Sequence, residues 1–322
     1  MNCCSPDRGA HDSSTSNRTA DEASTGDPTS TEAVAASPDH ADRVSIPAGR
    51  FTMGTAGPVA YPSDGESTMH EVDLDGFELD ARAVTNHRFG RFVAATGYVT
   101  EAERFGWSFV FGGLLPDDFE DTRGVAAAPW WRQVFGADWR HPEGPHSDVD
   151  SRADHPVIHI SHTDALAFCE WADARLPTEA EWERAARDDL VGAVFPWGDE
   201  LEPDGNHRMN VWQGSFPDVN TEADGFGGTS PVDSFEPSSN FGLWNMCGNV
   251  WEWCADWFDD GYYAASPERN PSGPPTGDRR VMRGGSYLCH SSYCHRYRVG
   301  ARSSNEPDAS SGNLGFRTAR SS

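Results

Sequence analysis

The part of the chain after Leu190 constrains the fold most, because Gly, Pro, Asn, Asp and Trp dominate it and helical periodicity disappears. Such a composition predicts turns and short strands around ordered loops. Buried irregular backbone needs partners for its carbonyl groups beyond strand ladders, and metal ions are one candidate. No internal repeat or interior linker interrupts residues 42–322, so we expect a single domain there.

Residues before Leu190 carry a strand signal near the start of the domain and three helix signals. Apolar and polar residues alternate from Val44 to Gly54, which predicts a short strand and a turn. Three later stretches have apolar residues at helical spacing, and each begins with a residue able to cap a helix. The predicted helices are Asn86–Thr96 with Thr85 as cap, His162–Ala174 with Ser161 and Asp164 at capping-box spacing, and a helix capped by Thr178 with Glu181 reaching back.

The charge balance argues against nucleic acid as a partner. The chain has 25 basic residues, none of them Lys, against 51 acidic ones, for a formal net charge of -26. A negative field repels phosphate backbones and favours a basic ligand, although an acidic proteome would give the same balance. No apolar run reaches the roughly 18 residues that a membrane span needs, so no membrane association is expected.

The N-terminal segment and the cysteine usage favour a reducing compartment. Residues 1–41 are polar, poor in aromatic residues and without a signal-peptide pattern, which predicts a disordered tail. The chain has seven Cys at irregular spacing, a pattern more typical of reduced thiols than of a disulfide scaffold. The sequence therefore predicts a cytoplasmic protein.

Two cysteines near the C-terminus, Cys289 and Cys294, stand out. Their spacing puts them on opposite faces of a strand, or roughly 140° apart on a helix, so the backbone must bend if both act together. Two thiolates suit a soft, low-coordinate ion such as Cu(I). Zinc prefers four ligands, a set that His290 and His295 could complete. Two buried thiols or a local disulfide are the other interpretations, because this spacing is not diagnostic of a metal.

Three histidines, His155, His159 and His162, form a possible iron set. The apolar residues Val157 and Ile158 between them favour a strand. On a strand His155 and His159 share a face and His162 does not, so the periodicity argues against a common metal.

Several motifs together resemble the formylglycine-generating-enzyme (sulfatase-modifying factor) family. They are Ile46–Gly54, His155–Ser161, Arg175–Glu183, Gly242–Trp253 and Arg283–Ser286. The resemblance covers residues 44–319 and implies an α+β fold similar to a C-type lectin, with little regular secondary structure. The stretch from Gly285 to Arg298, continued to Arg317, resembles the catalytic signature of the true formylglycine-generating enzymes.

The resemblance implies an oxidase that converts the Cys of a C-x-P-x-R motif in an unfolded or nascent sulfatase polypeptide to Cα-formylglycine. It implies that Cys289 and Cys294 hold Cu(I), that the substrate Cys adds a third sulfur, and that O2 and a thiol reductant are consumed. It further places Ser286, Trp251 and Tyr293 around the oxygen and substrate pocket, and Arg302 and Asn313 near the substrate groove.

Two other functions compete with this interpretation. One is a lectin-like binding module without catalysis. The other is a different oxidase of the superfamily, such as an iron-dependent sulfoxide synthase. Those relatives carry an extra helical domain, for which 322 residues leave no room.

Two structural Ca²⁺ ions are also implied by the resemblance. Calcium takes six to eight oxygen ligands, and Asp224 and Glu252 would supply the carboxylates. No EF-hand loop is present, and without the resemblance Asp224 and Asn245 would be interpreted as ordinary turn residues. The first predicted site comprises Asn210, Val211, Asp224 and Phe226, and the second comprises Asn245, Gly248, Val250 and Glu252.

The sequence departs from secreted animal members of the family at two C-terminal positions. Val299 and Thr318 replace the corresponding disulfide cysteines, so Cys169 lacks its expected partner, which agrees with a reducing compartment.

The tail contains the pentapeptide Cys4-Ser5-Pro6-Asp7-Arg8, which fits the C-x-P-x-R motif. It is a candidate self-substrate, cis-acting pseudosubstrate or, with Cys3, copper-relay thiol pair. The alternative is an accidental match. The Leu-Thr-Gly that follows the longer sulfatase motif is absent, which argues against a self-substrate.

Overall fold

The computed structural model describes Pro6, Arg8 and residues 42–322 of the chain. Its regular elements are short and lie between ordered loops. The helices are α1 (Asn86–Thr96), α2 (Glu101–Phe105), α3 (His162–Trp171) and α4 (Glu179–Arg187). The strands are β1 (Arg43–Ile46), β2 (Gly49–Met53), β3 (His70–Leu74), β4 (Phe77–Asp80), β5 (Trp107–Phe111), β6 (Arg123–Val125), β7 (Ala128–Phe135), β8 (Gly214–Ser215), β9 (Val219–Asn220), β10 (Trp251–Trp257), β11 (Arg280–Arg283), β12 (Arg302–Asn305), β13 (Leu314–Gly315) and β14 (Ala319–Ser321).

The three predicted helix starts are confirmed. The Thr85 side chain accepts a hydrogen bond from the Arg88 backbone N–H, and the capping boxes of α3 and α4 are complete. Helix α3 ends at Trp171, earlier than the predicted Ala174, because Asp173 adopts a left-handed conformation. No helix in the described part of the chain has the length and apolar character to cross a membrane.

The sheets bring distant parts of the chain together. The largest has the order β12-β11-β10-β13, in which β13 runs parallel to β10 and the other neighbours are antiparallel. A three-stranded sheet of order β1-β4-β14 joins the start of the domain to the C-terminus. The remaining sheets are β2-β3, β5-β7-β6 and β8-β9. The single strand predicted between Val44 and Gly54 is two strands, because a Pro47-Ala48 break separates β1 from β2.

The strand predicted through Val157 and Ile158 does not form. His159 has a φ of 60°, which interrupts an extended conformation. The backbone N–H groups of this segment donate to separate acceptors, Val157 to Val84 O at 2.9 Å and His159 to Ser311 O at 3.0 Å. The segment is therefore ordered but irregular.

The main core is rich in aromatic side chains, and two of its buried indoles have hydrogen-bond partners. Phe89 and Phe168 stack with ring centroids 6.0 Å apart. The buried indole of Trp182 donates to Glu252 Oε2 at 2.9 Å, and that of Trp253 donates to Ile160 O at 2.9 Å. These bonds meet the requirement that a buried Trp finds a partner for its N–H group.

A buried network of Arg and Glu side chains joins α4 to the largest sheet. The Arg283 guanidinium donates to Glu179 Oε1 at 2.8 Å and to Glu183 Oε2 at 2.5 Å. Arg302 forms a bidentate pair with Glu179, and Arg187 donates to Glu183 at 2.8 Å. Arginine suits such pairs because its planar fork matches a carboxylate. The network holds β11, and the loop that follows it, against α4.

Candidate active site

Two consecutive turns after β11 bring Cys289 and Cys294 together. Cys289 N–H donates to Ser286 O at 2.9 Å, and Cys294 N–H donates to His290 O at 2.8 Å. The two Sγ atoms lie 3.2 Å apart, and both side chains are buried. This distance is longer than the roughly 2.05 Å of a disulfide, so the residues are two thiols in contact.

A small cavity opens beside the two sulfurs. Its volume of about 10 Å³ is room for roughly one water-sized molecule. The Tyr293 ring stacks on Phe216 with centroids 4.3 Å apart and meets Trp130 edge-on at 4.9 Å. The lining comprises both cysteines, the predicted Ser286 and Tyr293, and the unpredicted Trp130, Trp131, Phe216 and Leu288.

Ser286 links the thiol pair to Asn313. The Ser286 backbone N–H donates to Cys289 Sγ at 3.4 Å, and the Ser286 hydroxyl accepts from Asn313 Nδ2 at 3.0 Å. Asn313 Oδ1 in turn accepts from the Ser311 hydroxyl at 2.8 Å. Asn313 is fully buried and contacts Ser286 without lining the cavity, so the structure places it behind the pocket.

The surroundings of the thiols decide which metal they could hold. Burial, and then the contact with Cys294, raises the pKa of the Cys289 thiol well above its usual value. A metal ion must therefore displace protons when it binds. The two histidines that could complete a zinc set have other partners: His290 Nδ1 bonds Ser292 Oγ at 2.8 Å, and the His295 ring packs on Tyr297.

Two soft donors remain at this position, and the described residues contain no group of three or more His, Cys, Asp or Glu that could hold a metal. This donor set fits the Cu(I) that the family resemblance implies, because soft thiolates favour that ion at low coordination number.

Trp251 does not line the cavity. It lies at the start of β10, fully buried, and its backbone N–H donates to Asn313 O at 2.8 Å. Its indole N–H has no hydrogen-bond partner within residues 42–322 or at Pro6 and Arg8. The structure therefore connects Trp251 to the site through the backbone of Asn313.

Arg302, which the resemblance places near the substrate groove, lies inside the protein. Its side chain is buried, with Nε and Nη2 each 2.8 Å from a Glu179 carboxylate oxygen. Nη1 donates to Asp259 O at 3.1 Å, and the guanidinium lies 4.2 Å from the Tyr263 ring centroid. With its donors engaged inside the protein, Arg302 serves the fold and does not face a substrate.

A groove near Ser311 holds an arginine. The Arg8 guanidinium donates to Ser310 Oγ at 2.8 Å, to Asp308 O at 3.1 Å and to Trp107 O at 3.2 and 3.3 Å. It also lies over the rings of Phe105 and Trp107, at 4.1 and 4.2 Å from their centroids. Asn305 Nδ2 donates to Pro6 O at 3.1 Å. We call this surface the arginine groove; it is formed by Phe105, Trp107, Asn305, Asp308 and Ser310.

The three histidines of the possible iron set have separate partners. His155 Nδ1 bonds Thr229 Oγ1 at 2.9 Å, and His162 Nε2 donates to Cys254 O at 3.1 Å. His159 lies between Ser108 Oγ at 2.8 Å and Pro142 O at 2.9 Å, and burial lowers its pKa to about 4. Each imidazole is accounted for by local hydrogen bonds.

The first predicted calcium set is brought together. Asp224 accepts backbone N–H groups from Val211 at 3.2 Å and Phe226 at 3.1 Å, which places its carboxylate between them. Burial raises the pKa of Asp224. The buried Asn210 Oδ1 has no hydrogen-bond partner among the described residues. An unpartnered amide oxygen and a carboxylate are both ligand types that a hard cation such as Ca²⁺ takes.

The second predicted calcium set fits less well. Asn245 Oδ1 is buried and has no partner in the part of the chain that the structure describes, so it could face a cation. Glu252, however, already accepts three N–H groups, two from Arg317 at 2.7 and 2.8 Å and one from Trp182. The Arg317 charge already balances this carboxylate. Gly248 and Val250, the other predicted members, are buried beside Asn249 and contribute only backbone.

Fold and site together define a protein with a buried thiol pair near a groove that binds an arginine side chain, on an irregular α+β scaffold. Residues 29–322 match the family described as sulfatase-modifying factor enzyme 1-like domain, and the chain belongs to this family. This match confirms the resemblance and the fold class that the sequence predicts.

Relatives at high identity carry a specific name. The formylglycine-generating enzyme of Streptomyces coelicolor is 58% identical over 278 residues, which cover 86% of this chain and 88% of that protein. The formylglycine-generating enzyme of Bos taurus is 55% identical over 278 residues, or 86% and 74% of the two chains. Among solved structures, PvdO from Pseudomonas aeruginosa has a TM-score of 0.64 at 24% identity over 87% and 94% of the two chains, which shows the fold alone.

Proposed function

We propose that this chain oxidises the Cys of a C-x-P-x-R motif in sulfatase-type polypeptides to Cα-formylglycine, with O2 as oxidant and with Cys289 and Cys294 as the residues that would hold Cu(I). The observation that carries the proposal is the pair of buried sulfurs 3.2 Å apart beside a water-sized cavity. Cu(I) bound there would supply a soft centre for the substrate thiolate and the redox chemistry of O2.

The electron balance explains why a thiol reductant is needed. Conversion of the thiol-bearing methylene group of the substrate Cys to an aldehyde, with the sulfur leaving as hydrogen sulfide, releases two electrons. Reduction of O2 to water takes four. Two further thiols supply the missing two electrons and two protons and become a disulfide, so that the products are one aldehyde, one hydrogen sulfide, one water and one disulfide.

The residues of the chain position the peptide and exclude water. Ser310 and Ser311 connect the arginine groove to the thiol pair through Asn313 and Ser286. A client Arg, four positions after the reacting Cys, would take the place that the Arg8 guanidinium holds. The aromatic rings around the cavity leave little room for bulk water, which protects a reactive thiolate.

We also propose that Ca²⁺ at the first predicted set has a structural role. The unpartnered Asn210 oxygen and the Asp224 carboxylate support that site. A cytoplasmic location is part of the proposal as well, since the five described cysteines are buried free thiols.

The test is aldehyde formation on a C-x-P-x-R peptide by the copper-loaded protein. Cys289→Ala and Cys294→Ala should each lose at least a hundredfold in turnover, while Cys169→Ala, which removes a buried thiol in α3, should keep it. A peptide with Ala in place of its Arg should show a raised KM. Near-normal turnover by either pair variant would rule out the proposed site.

A further inference from the structure

Two residues of the N-terminal tail are bound to the folded domain. Pro6 is buried and its carbonyl accepts from Asn305 on β12. Arg8 makes hydrogen bonds to Trp107, Asp308 and Ser310. The Ser310 hydroxyl that accepts from Arg8 is fully buried, as is Asn305, so the site is built into the domain and does not depend on mobile surface groups.

The arginine groove matches a guanidinium in shape and charge. Two carbonyls and one hydroxyl accept N–H groups at the rim of the guanidinium plane, and two aromatic rings lie against it. The acidic side chains of Asp308, Glu101 and Asp164 act on Arg8 at longer range. Burial lowers the Arg8 pKa to about 10, so the side chain keeps its charge at neutral pH.

The spacing of the bound residues is that of the C-x-P-x-R motif. Pro6 and Arg8 stand at its third and fifth positions, and Cys4 stands at its first. Cys4, Ser5 and Asp7 lie outside the described residues.

We infer that the tail, through Pro6 and Arg8, is an intramolecular ligand of the arginine groove, which a client polypeptide must displace before it can react. The inference rests on the proposed function for the identity of the client, but the docking of the tail does not require turnover. Of the three hypotheses for the pentapeptide, the contacts of Pro6 and Arg8 support the cis-acting pseudosubstrate.

Because the segment belongs to the same chain as the groove, it can compete strongly with a client polypeptide even if it binds weakly. Residues 9–41 join the segment to the first strand of the same domain. A tethered ligand of this kind has an effective concentration of about 1 mM. If the untethered segment bound with a Kd of about 0.1 mM, it would weaken client binding roughly tenfold.

The test measures binding of a redox-inert peptide, with Ser in place of the Cys of a C-x-P-x-R motif, by isothermal titration calorimetry. The full-length Arg8→Ala protein should bind this peptide about tenfold more tightly than the wild type. Arg18→Ala, which removes the same charge from the tail outside the pentapeptide, should bind as the wild type does. Arg8→Lys should fall between them, because Lys keeps the charge but not the planar fork.

Two results would overturn the inference: equal peptide affinity for wild type and Arg8→Ala, or no peptide binding by Arg8→Ala. The aldehyde assay separates the two proposals. Tighter binding by Arg8→Ala without aldehyde formation by any variant would refute the proposed function and leave the docking intact. Aldehyde formation with equal affinities would refute the docking alone.

Discussion

Replacing Arg302 by Met tests whether this guanidinium serves the fold or the substrate. The substitution removes two charge-assisted hydrogen bonds to Glu179, each 2.8 Å long, and one to Asp259 O. It also removes a cation–π contact with the buried Tyr263 ring. Glu179 keeps its bond from Arg283 at 2.8 Å and the Tyr263 hydroxyl at 3.1 Å, so its charge is only partly compensated.

The expected loss of unfolding free energy follows from the burial of the Arg302–Glu179 ion pair. Removing one partner of a buried ion pair costs about 3–5 kcal/mol, and the remaining Arg283 contact places Arg302→Met near the middle of this range. The unfolding entropy is about 2.1 cal/mol/K per residue, or roughly 0.6 kcal/mol/K for a domain of about 280 residues. A loss of about 4 kcal/mol should therefore lower Tm by roughly 7 °C.

The assay combines urea unfolding with kinetics on the C-x-P-x-R peptide. The control is Arg269→Met, because Arg269 pairs with Asp75 at the surface with 68% of its side chain exposed, and we expect its loss to cost under about 1 kcal/mol. The structural account predicts a large stability loss for Arg302→Met and a nearly unchanged KM for the folded fraction. Wild-type stability with a tenfold higher KM would instead identify Arg302 as a substrate residue and refute our reasoning.

Three further predictions concern pH, calcium and backbone geometry. The pKa of His159 is about 4 in the fold and about 6.5 in the unfolded chain. The neutral buried imidazole therefore contributes its full stability above pH 6.5, and that contribution falls as pH drops toward 4. His159→Gln should reduce the slope of unfolding free energy against pH in this range by about 1.4 kcal/mol per pH unit, as measured by urea titrations. An unchanged slope would contradict this prediction. A calcium chelator should lower the wild-type Tm but not that of Asp224→Asn; equal shifts would argue against the first calcium site. Gly285→Ala should lower the free energy of unfolding by about 2–4 kcal/mol and disturb Ser286, because the φ of Gly285 is 75° and an added Cβ would lie 2.8 Å from Tyr297 Cα. A wild-type Tm for this variant would disprove the prediction.

Local signals in the sequence predicted local structure well. The capping pairs at the starts of α3 and α4 act within four residues, so their geometry is encoded where it is observed. The strand predicted from the apolar residues Val157 and Ile158 does not form, because the backbone there bonds to Val84 and Ser311, which no local pattern reveals.

The site was predictable only in part. The family resemblance indicated Cys289 and Cys294, but spacing alone left several interpretations of the pair open. The cavity walls Trp130 and Phe216 come from β7 and a distant loop, and their approach to the thiols depends on tertiary packing. The burial of Arg302 has the same origin, since its partner Glu179 lies 123 positions away in the sequence.

The most direct test of the central claim is the Cu(I) stoichiometry of the purified chain, measured by titration against a colorimetric copper chelator. We predict one tightly bound Cu(I) per wild-type or Cys169→Ala chain. Cys289→Ala and Cys294→Ala should each bind none at the same chelator concentration. Retention of one tightly bound Cu(I) by either pair variant would contradict the account.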